Sequence, residues 1–505
     1  TVSRTNLVNM SKLHIRTTKT SSKATAVQVI YYENRRRIIV KHIGSSHNQD
    51  ELKKLKLIAL GYINKLTSQQ LLFPKDMQSD LVNLKSVEYL GFRYGLLYET
   101  LLGLSKKFNF HRHKNQLLLD LVIARIIQPG SKFQAIEFLK DFLGIEHRRE
   151  YLYRKLPKLE AIKKQVASKI SNIAKEEFNF NFSFIFYDVT TLYFESDKED
   201  DFRRRGFSKD NKFNQPQIVL GLIVTSEGFP LWYQIFEGNK FEGHTFIPII
   251  NEYKQNNKID TITVVADAAM ISSENIKALL KASLKYIVGA RLANLSLNLI
   301  KQISMLLNRS DNKTVRIKTE LGDLICEYSE KRYRKDKREM DNYIQKAKNL
   351  IEQPGKVKRA KYIKIQNHSY QLNQSLIEKN ELLLGIKGYY TNLEESQADN
   401  ELIVNHYHNL WRIEHAFRIT KSDLQIRPIF HHKKEIIELH ILICFMALAI
   451  CKYMELKTEK STQTIIKLLK SVTDARIMNT ISREEIILRV KMNSEVKMVV
   501  DKLIF

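Results

Sequence analysis

The chain has 505 residues, which is enough for about three structural units and a sizeable hydrophobic core. Its 82 Lys and Arg residues outnumber 55 Asp and Glu residues, and the formal net charge is +27. With 43% apolar and 10% aromatic residues, the sequence is too hydrophobic for a disordered polycation, so the charge belongs to folded domains. This combination predicts a polyanionic partner, with nucleic acid favoured over an anionic membrane surface.

The cysteines and the longest apolar run exclude several classes of protein. Cys326, Cys444 and Cys451 form no CxxC pair, which argues against a disulfide framework and a zinc knuckle. The longest uninterrupted apolar run, Ile441 to Cys451, is too short to cross a bilayer, and the first thirty residues contain no apolar signal segment. We therefore expect a soluble intracellular protein with a buried helix near this run, and no membrane partner.

Residues 1–50 form the first region of the chain and carry nine basic residues against two acidic ones. Apolar residues alternate with polar ones from Ala26 to Tyr32 and from Arg37 to Ile43, on either side of Glu33. Alternation around a short turn is typical of two antiparallel strands. The sequence therefore predicts a basic β-hairpin in this region.

Residues 51–178 have a helical pattern, with leucines spaced by three and four residues at 52–66, 87–104 and 117–127. Ser131 follows a Pro-Gly break and is a candidate cap for the next helix. A helical DNA-binding region fits this pattern, and a plain helical scaffold explains the periodicity equally well.

Residues 179–291 change to a β-rich pattern that then alternates with helices, which predicts a mixed sheet with helices on its faces. The predicted elements are strands at Phe182 to Thr190, Gln217 to Thr225 and Leu231 to Glu237, a helix at Thr245 to Lys254, a strand at Thr261 to Asp267, a helix at Ser273 to Ala282 and a strand at Lys285 to Arg291.

The rest of the chain divides into three predicted parts. Residues 292–395 interrupt the alternation with polar, β-like segments and a charged helical stretch, 331–361, which has twelve basic and four acidic residues. Residues 396–455 contain a long helix at about Asp399 to Leu424 and the buried helix. We expect residues 456–505 to form a helical tail.

Two aspartates stand at the ends of predicted buried strands. Asp188 lies in Phe184 to Thr191, and Asp267 follows Val264-Val265-Ala266. If these strands are adjacent, the two carboxylates lie close together, and they repel each other unless a cation separates them. Oxygen ligands suit Mg²⁺ or Mn²⁺. The alternative is that each aspartate only caps the turn after its strand.

A third acid lies in the predicted long helix. A seven-residue step returns to nearly the same side of a helix, so Tyr407, Glu414 and Lys421 share one face, with Arg418 close by. An acid between a phenol and two cations can bind a metal while its neighbours hold phosphate oxygens. A solvated stripe of paired charges is the alternative.

Several segments resemble those of bacterial insertion-sequence transposases of the DDE type. The helix around Glu414 is similar to the Tyr/Arg/Glu/Lys signature of one subgroup, in which the glutamate is the third catalytic acid. The other segments are Tyr187 to Phe194, Gly206 to Lys209, Gln217 to Leu222, Glu237 to Asn239 and Tyr286 to Gly289.

The resemblance implies an α/β fold with a ribonuclease-H-like core at 179–291 and 396–455, interrupted by an insertion domain at 292–395. It implies Asp188, Asp267 and Glu414 as catalytic residues and metal ligands. The 147-residue separation between Asp267 and Glu414 agrees with an insertion. The helical N-terminal region with its basic hairpin would then bind DNA.

One position departs from the signature. Its arginine should lie three residues after Tyr407, where this chain has Leu410. Arg412 is about 200° around a helix from Glu414, so Arg412 cannot simply replace the missing arginine. We expect Arg418 to take over part of this phosphate contact.

The sequence therefore predicts a bacterial, cytoplasmic DNA transposase that uses two Mg²⁺ or Mn²⁺ ions per active site. Its partners would be double-stranded DNA, as terminal inverted repeats and as target, and a second copy of the chain in the DNA complex. A catalytically inactive, transposase-derived DNA-binding protein and a ribonuclease acting on RNA–DNA hybrids are the alternatives. The residues expected to contact DNA are Tyr407, Arg418, Lys421, Arg203, Arg204, Arg205, Lys331 and Arg332.

Overall fold

The computed structural model divides into two compact units, Thr1–Leu97 with Leu469–Asn493, and Tyr98–Leu468 with Ser494–Phe505. The residues that the structure describes are 13–33, 36–68, 87–113, 115–148, 159–180, 182–208, 211–241, 243–257, 259, 261–268, 273–352, 360–366, 369–480 and 483–504.

The described residues form sixteen strands and fifteen α-helices, besides short 3₁₀ and π-helical turns. The strands are β1 His14–Lys19, β2 Thr25–Glu33, β3 Arg36–Ser46, β4 Val87–Arg93, β5 Phe184–Tyr193, β6 Gln217–Val224, β7 Pro230–Glu237, β8 Thr263–Ala266, β9 Lys285–Gly289, β10 Thr314–Thr319, β11 Gly322–Tyr328, β12 Ile363–Gln366, β13 Ser369–Leu372, β14 Ile386–Thr391, β15 Asp474–Asn479 and β16 Glu485–Arg489. The helices are α1 Gln49–Ser68, α2 Gly95–Lys107, α3 Gln116–Ile127, α4 Lys132–Phe138, α5 Leu159–Glu176, α6 Gly243–Asn257, α7 Ser273–Lys281, α8 Leu297–Leu307, α9 Glu330–Ile351, α10 Gln374–Glu381, α11 Asn400–His408, α12 Trp411–Arg418, α13 Lys434–Thr458, α14 Thr462–Lys470 and α15 Ser494–Ile504.

The first unit begins with an antiparallel sheet in the order β1-β2-β3, on which α1 packs. Val27 and Val29 of the sheet form a small core with Leu52 and Ala59 of the helix. The predicted β-hairpin is confirmed as β2 and β3, and its turn at 34–35 lies outside the described residues. β1 adds a third strand that the alternation did not reveal.

A second sheet in this unit has the order β16-β15-β4 and corrects two predictions. Residues 87–93, predicted to begin a helix, form β4, and the predicted helical tail at 456–505 contains the hairpin of β15 and β16. The buried carboxylate of Asp474 accepts two hydrogen bonds from Arg489, at 2.7 and 2.8 Å, across that hairpin. The partner of β4 is distant in the chain, so local periodicity does not reveal the pairing.

The second unit is built on an eight-stranded mixed sheet in the order β10-β11-β14-β9-β8-β5-β6-β7. β5, β6 and β7 are antiparallel neighbours, while β5, β8 and β9 run parallel to one another. Between β5 and β9 the chain follows the predicted order of three strands, helix, strand, helix and strand. This part of the α/β prediction is confirmed, with boundaries shifted by a few residues.

Residues 292–395 do not stand apart from this sheet. β14 pairs antiparallel with β9, and β11 and β10 extend the sheet beyond it. Among the described residues, α9, α10, β12 and β13 build a subsidiary layer, whose core includes Met340, Tyr362 and Ile377. The insertion predicted as a domain thus contributes three strands to the main sheet, because the free edge of β9 offers backbone groups to pair with.

Helices cover both faces of the β5–β6 region. A Cβ atom added to Gly221 of β6 would lie 3.3 Å from Ile249, so α6 covers that face. Leu220 and Leu222, which alternate with Gly221, line a space shared with Phe417 of α12 on the opposite face. The sheet therefore lies between α6 on one side and α12 on the other.

α13 is the central helix of the second unit and confirms the predicted buried helix. It packs against α3, α5, α15 and β7. By length and composition it could cross a membrane, but 89% of its most apolar stretch is buried within the protein. Ser131 caps α4 as predicted, through a capping box with Gln134.

Two adjacent leucines at the end of α8 test the packing of this helix on β10 and β11. Leu307 is fully buried and Leu306 is 45% exposed. We expect Leu307→Ala to lower the free energy of unfolding by about 2–5 kcal/mol, because it leaves a cavity, and Leu306→Ala by less than about 0.5 kcal/mol. Chemical denaturation of both variants measures this, and equal effects would contradict the packing.

Candidate active site

Asp188 and Asp267 lie side by side in the second unit. The parallel register of β5 and β8 pairs Tyr187 with Ala266. Asp188 directly follows Tyr187, and Asp267 directly follows Ala266. In-register neighbours on parallel strands face the same side of a sheet. Asp188 is half-buried and Asp267 is exposed. The predicted adjacency of these two strands is confirmed.

Glu414 lies on the helix that covers the same face. The Tyr187 hydroxyl is 2.6 Å from the Thr245 hydroxyl of α6, so Asp188, the next residue, faces the opposite side. α12 packs against β5 and β6 on that side through Ile413 and Phe417, which are buried, while Glu414 is exposed. The fold thus brings all three acids to one face of the sheet.

The predicted single helix from Asp399 to Leu424 is broken, which corrects the shared-stripe prediction. The Leu410 amide donates to the Tyr407 carbonyl at 3.0 Å, and the Ile413 amide donates to the Leu410 carbonyl at 3.1 Å. These three-residue bonds form a tight turn between α11 and α12. A π-helical turn at 419–423 then follows α12. The rotation of 100° per residue in a regular α-helix therefore does not hold between Tyr407 and Glu414 or between Glu414 and Lys421. Helical spacing no longer places these three side chains on one face.

Tyr407 nevertheless reaches the acids, because its hydroxyl donates a 3.0 Å hydrogen bond to Oδ1 of Asp267. Burial, and then the charge of Asp267, raises the pKa of Tyr407, with a smaller contribution from Glu414. Gly289 leaves room for the phenol, since a Cβ there would lie 2.3 Å from the Tyr407 oxygen. In the structure, Tyr407 holds Asp267 through this hydrogen bond. Contact of Tyr407 with DNA stays a prediction.

Lys387 of β14 is a cation at this site that sequence reasoning missed. Its Nζ lies 4.6 Å from the centre of the Tyr407 ring. Burial, and then the charge of Arg332, lowers the pKa of Lys387, while Asp267 and Glu414 are close enough to oppose that shift. A single lysine in the otherwise uncharged strand Ile386–Thr391 was the available signal.

A polar network surrounds Lys387. Nε2 of His408 lies 2.8 Å from Oε1 of Glu327, and the Tyr389 hydroxyl donates to the same oxygen. Burial favours a higher pKa for Glu327, but the hydrogen bonds from His408 and Tyr389 outweigh it and lower that pKa. The Tyr389 ring lies 4.6 Å from the ring of Tyr407. None of these three polar residues was among the predicted site residues.

The position of the signature arginine belongs to the core. Leu410 is buried. Arg418 is exposed, and its charge acts on His415 and Asp423. Lys421 is half-buried on the π-helical turn. Phosphate contacts by Arg418 and Lys421 stay predictions.

Arg203, Arg204 and Arg205 bond mostly within their own loop, and Arg203 also contacts His432. Nε of Arg203, a buried residue, lies 2.7 Å from the Asp200 carboxylate, and its Nη1 lies 2.9 Å from Nδ1 of His432. Arg204 and Arg205 also make ion pairs or hydrogen bonds inside the loop. These contacts brace the loop, and binding of DNA by the three arginines stays a prediction.

Lys331 and Arg332 are exposed on the first turn of α9. Arg332 lies 3.6 Å from Asp336 one turn on, and it is close enough to Lys387 to lower the pKa of that lysine. Much of the positive charge of α9 is paired along the helix in this way. Contact of Lys331 and Arg332 with DNA stays a prediction.

Among the described residues, no three His, Cys, Asp or Glu side chains are grouped closely enough to hold a metal ion. The three acids share a face without forming a tight cluster, and Oδ1 of both aspartates accepts the following backbone amide, at 2.7 Å for Asp188 and 2.6 Å for Asp267. Like charges repel unless a cation lies between them. An all-oxygen set of this kind fits Mg²⁺ or Mn²⁺. The roles of Asp188, Asp267 and Glu414 as ligands stay predictions.

Residues 180–450 match the family model described as Transposase DDE domain. The match covers more than half of the 505 residues and includes all three acids. The chain therefore belongs to this family of DDE-type transposases, whose members act in DNA transposition as polynucleotidyl transferases or endonucleases and generally use divalent metal ions.

Comparison with solved structures gives eight matching chains. A piggyBac transposase in a synaptic complex with hairpin DNA has 10% identity and a TM-score of 0.37, over 74% of this chain and 76% of that one. A Mos1 transposase in a paired-end complex with the left transposon end has 10% identity and a TM-score of 0.16, over 46% and 66%. No curated protein sequence matches this chain.

The hydrogen bond from Tyr407 to Asp267 leads to a prediction about activity. We expect Tyr407→Phe to lower the rate of DNA cleavage by about 10- to 100-fold, because Asp267 loses the donor that orients it. Tyr390→Phe on β14 is the matched control and should cleave at the wild-type rate. Cleavage assays over a Mg²⁺ titration measure both. An unchanged rate and Mg²⁺ requirement for Tyr407→Phe would remove this positioning role.

Proposed function

We propose that this protein cuts DNA strands at the ends of its own mobile element and joins them to target DNA, with Asp188, Asp267 and Glu414 as its catalytic acids. The observation that carries the proposal is the side-by-side placement of Asp188 and Asp267 within a segment that matches a transposase family. Glu414, on the helix over the same face, completes the set.

We also propose that the core is ribonuclease-H-like. The strand order β7-β6-β5-β8-β9 supports this proposal, because three antiparallel strands are followed by two parallel crossovers. Asp188 then lies on the first strand of the core, and Asp267 follows the first parallel crossover. The segment 292–395 continues the sheet from β9 before the chain returns to α11 and α12.

The three carboxylates would hold two Mg²⁺ or Mn²⁺ ions, which supply activation of the attacking water or 3′ hydroxyl and stabilisation of the leaving oxygen. Tyr407 orients Asp267 through its hydrogen bond. Lys387 places a positive charge beside Asp267 and Glu414, where the non-bridging oxygens of a phosphate would lie. The work of the protein is positioning and charge neutralisation, without an organic cofactor.

The partners we propose are double-stranded DNA, as terminal inverted repeats and as target, and a second copy of the chain in the complex. The net charge of +27 supports the DNA partner. A cytoplasmic location in a bacterium follows from the same proposal. The catalytically inactive alternative depended on Leu410, and we do not adopt it, because Lys387 brings a cation to the site from another strand.

Removal of each acid tests the catalytic proposal. We expect Asp188→Asn, Asp267→Asn and Glu414→Gln each to lower strand cleavage by more than about 100-fold, since each change removes a ligand charge with little change in volume. Binding of terminal DNA should persist, because affinity comes mainly from basic residues. The assay combines full-length protein, Mg²⁺ and the sequences that flank the gene, and sizes the products.

Glu395→Gln, on an exposed residue, is the control for these variants and should cleave normally. Wild-type cleavage by any one variant would exclude that acid from the site. Absence of cleavage by the wild-type protein on its own terminal sequences would count against the proposed activity itself.

Lys387 generates a separate prediction. We expect Lys387→Met to lower cleavage by about 100-fold while DNA binding and the midpoint of thermal unfolding stay close to wild type, because a half-buried cation contributes little to stability. Lys387→Arg should restore part of the rate. Lys318→Met, at an exposed residue of β10, is the control. A rate for Lys387→Met equal to that of the control would rule out a role in catalysis.

A further inference from the structure

Two buried cations lie close together in the second unit without an acidic partner. Arg125 of α3 is 7% exposed and Lys132 at the start of α4 is 3% exposed. Among the residues that the structure describes, no carboxylate forms an ion pair with either of them. Buried cations are normally paired, so this arrangement needs a physical explanation.

Among the described residues, the hydrogen-bond partners of the two cations are neutral groups. Nη1 of Arg125 donates to the Leu424 carbonyl at 3.4 Å, and Nζ of Lys132 lies 2.6 Å from Nε2 of His431. The ring of His431 lies 5.7 Å from that of His440, whose Nε2 is 2.8 Å from a backbone carbonyl. Nδ1 of His440 is buried and has no hydrogen-bond partner within the part of the chain that the structure describes. Unsatisfied charge and an unsatisfied polar atom thus occur in one cluster.

The electrostatics show the cost of this cluster. Burial, and then the charge of Arg125, lowers the pKa of Lys132 to about 7. Burial, and then Lys132, lowers the pKa of His431 to about 4. An arginine keeps its proton in a protein, so at least one positive charge remains inside at neutral pH. An anion beside Arg125 and Lys132 would remove this cost.

A small pocket is lined by both of these residues. Arg125, Lys132, Gln128 and Gly130 line it together with apolar side chains, and its volume is about 10 Å³. Gln128 is exposed at the break between α3 and α4. This volume admits about one water-sized sphere, which is the size of a single oxyanion oxygen.

We propose that this pocket binds an oxyanion of the phosphate class, with one of its oxygens held between Arg125 and Lys132 and the remainder at the mouth beside Gln128. Two sources share this chemistry, a backbone phosphodiester of bound DNA and free inorganic phosphate. The site is separate from the three catalytic acids, so its test does not depend on cleavage activity.

The experiment compares thermal unfolding of the full chain in inorganic phosphate and in chloride at equal ionic strength. We expect phosphate to raise the unfolding midpoint of the wild type by about 2 °C or more. In Lys132→Met this rise should disappear, while the midpoint in chloride stays at or above that of the wild type, because one uncompensated charge has been removed. Lys140→Met, on an exposed lysine of the same region, should keep the rise.

A second measurement tests the proposal even if the Lys132→Met variant does not fold. Phosphorus NMR of inorganic phosphate with the wild type should show saturable line broadening, which Lys132→Gln abolishes. Displacement of phosphate by unrelated duplex DNA identifies a backbone phosphodiester as the occupant, and retention identifies free phosphate. The proposal fails if phosphate neither stabilises nor binds the wild type, or if the Lys132 variants respond as Lys140→Met does.

Discussion

The parallel pairing of β5 with β8 is the contact on which the proposed site depends. It aligns Tyr187 with Ala266 and so places Asp188 and Asp267 side by side on one face of the sheet. Both strands are central, and their apolar residues are buried by helices on either side. A one-residue slip would turn every side chain of β5 to the opposite face and carry Asp188 away from α12. The hydrophobic core therefore holds the two carboxylates side by side in spite of their mutual repulsion.

The turn between α11 and α12 is the second constraint. In a continuous helix, Tyr407 and Glu414 would be neighbours on one face. Because of the turn, the Tyr407 phenol lies against Gly289 of the sheet, while Glu414 stays exposed on the surface. Tyr407 then acts as a link, since it donates to Asp267 and packs against Tyr389. Through it, the strand contributed by residues 292–395 becomes part of the proposed site and supplies Lys387.

The positive charge of the chain has two different placements. On α9 the basic residues are exposed and partly paired with acids one turn away, which suits a surface that meets DNA and is sensitive to salt. At Arg125 and Lys132 the charge is buried and has no acidic partner among the described residues. The first placement costs little without a ligand, while the second is unfavourable until an anion arrives. The exposed charge of α9 therefore suits general affinity for a polyanion, whereas the buried charge at Arg125 and Lys132 suits a specific anion-binding site.

Sequence alone determined the alternation of strands and helices from β5 to β9, the buried helix α13 and the place of Asp267 directly after a strand, because hydrophobic period and composition are local properties. Asp188, predicted near the end of its strand, instead lies in the middle of β5. The sequence also marked the family, through segments that the match over residues 180–450 supports. The tertiary structure decided the rest. The pairing of β4 with β15, the addition of β10, β11 and β14 to the sheet and the arrival of Lys387 beside Tyr407 all join residues that are distant in the chain. Such contacts depend on which strand edges remain free after the core forms, and periodicity within one segment does not record that.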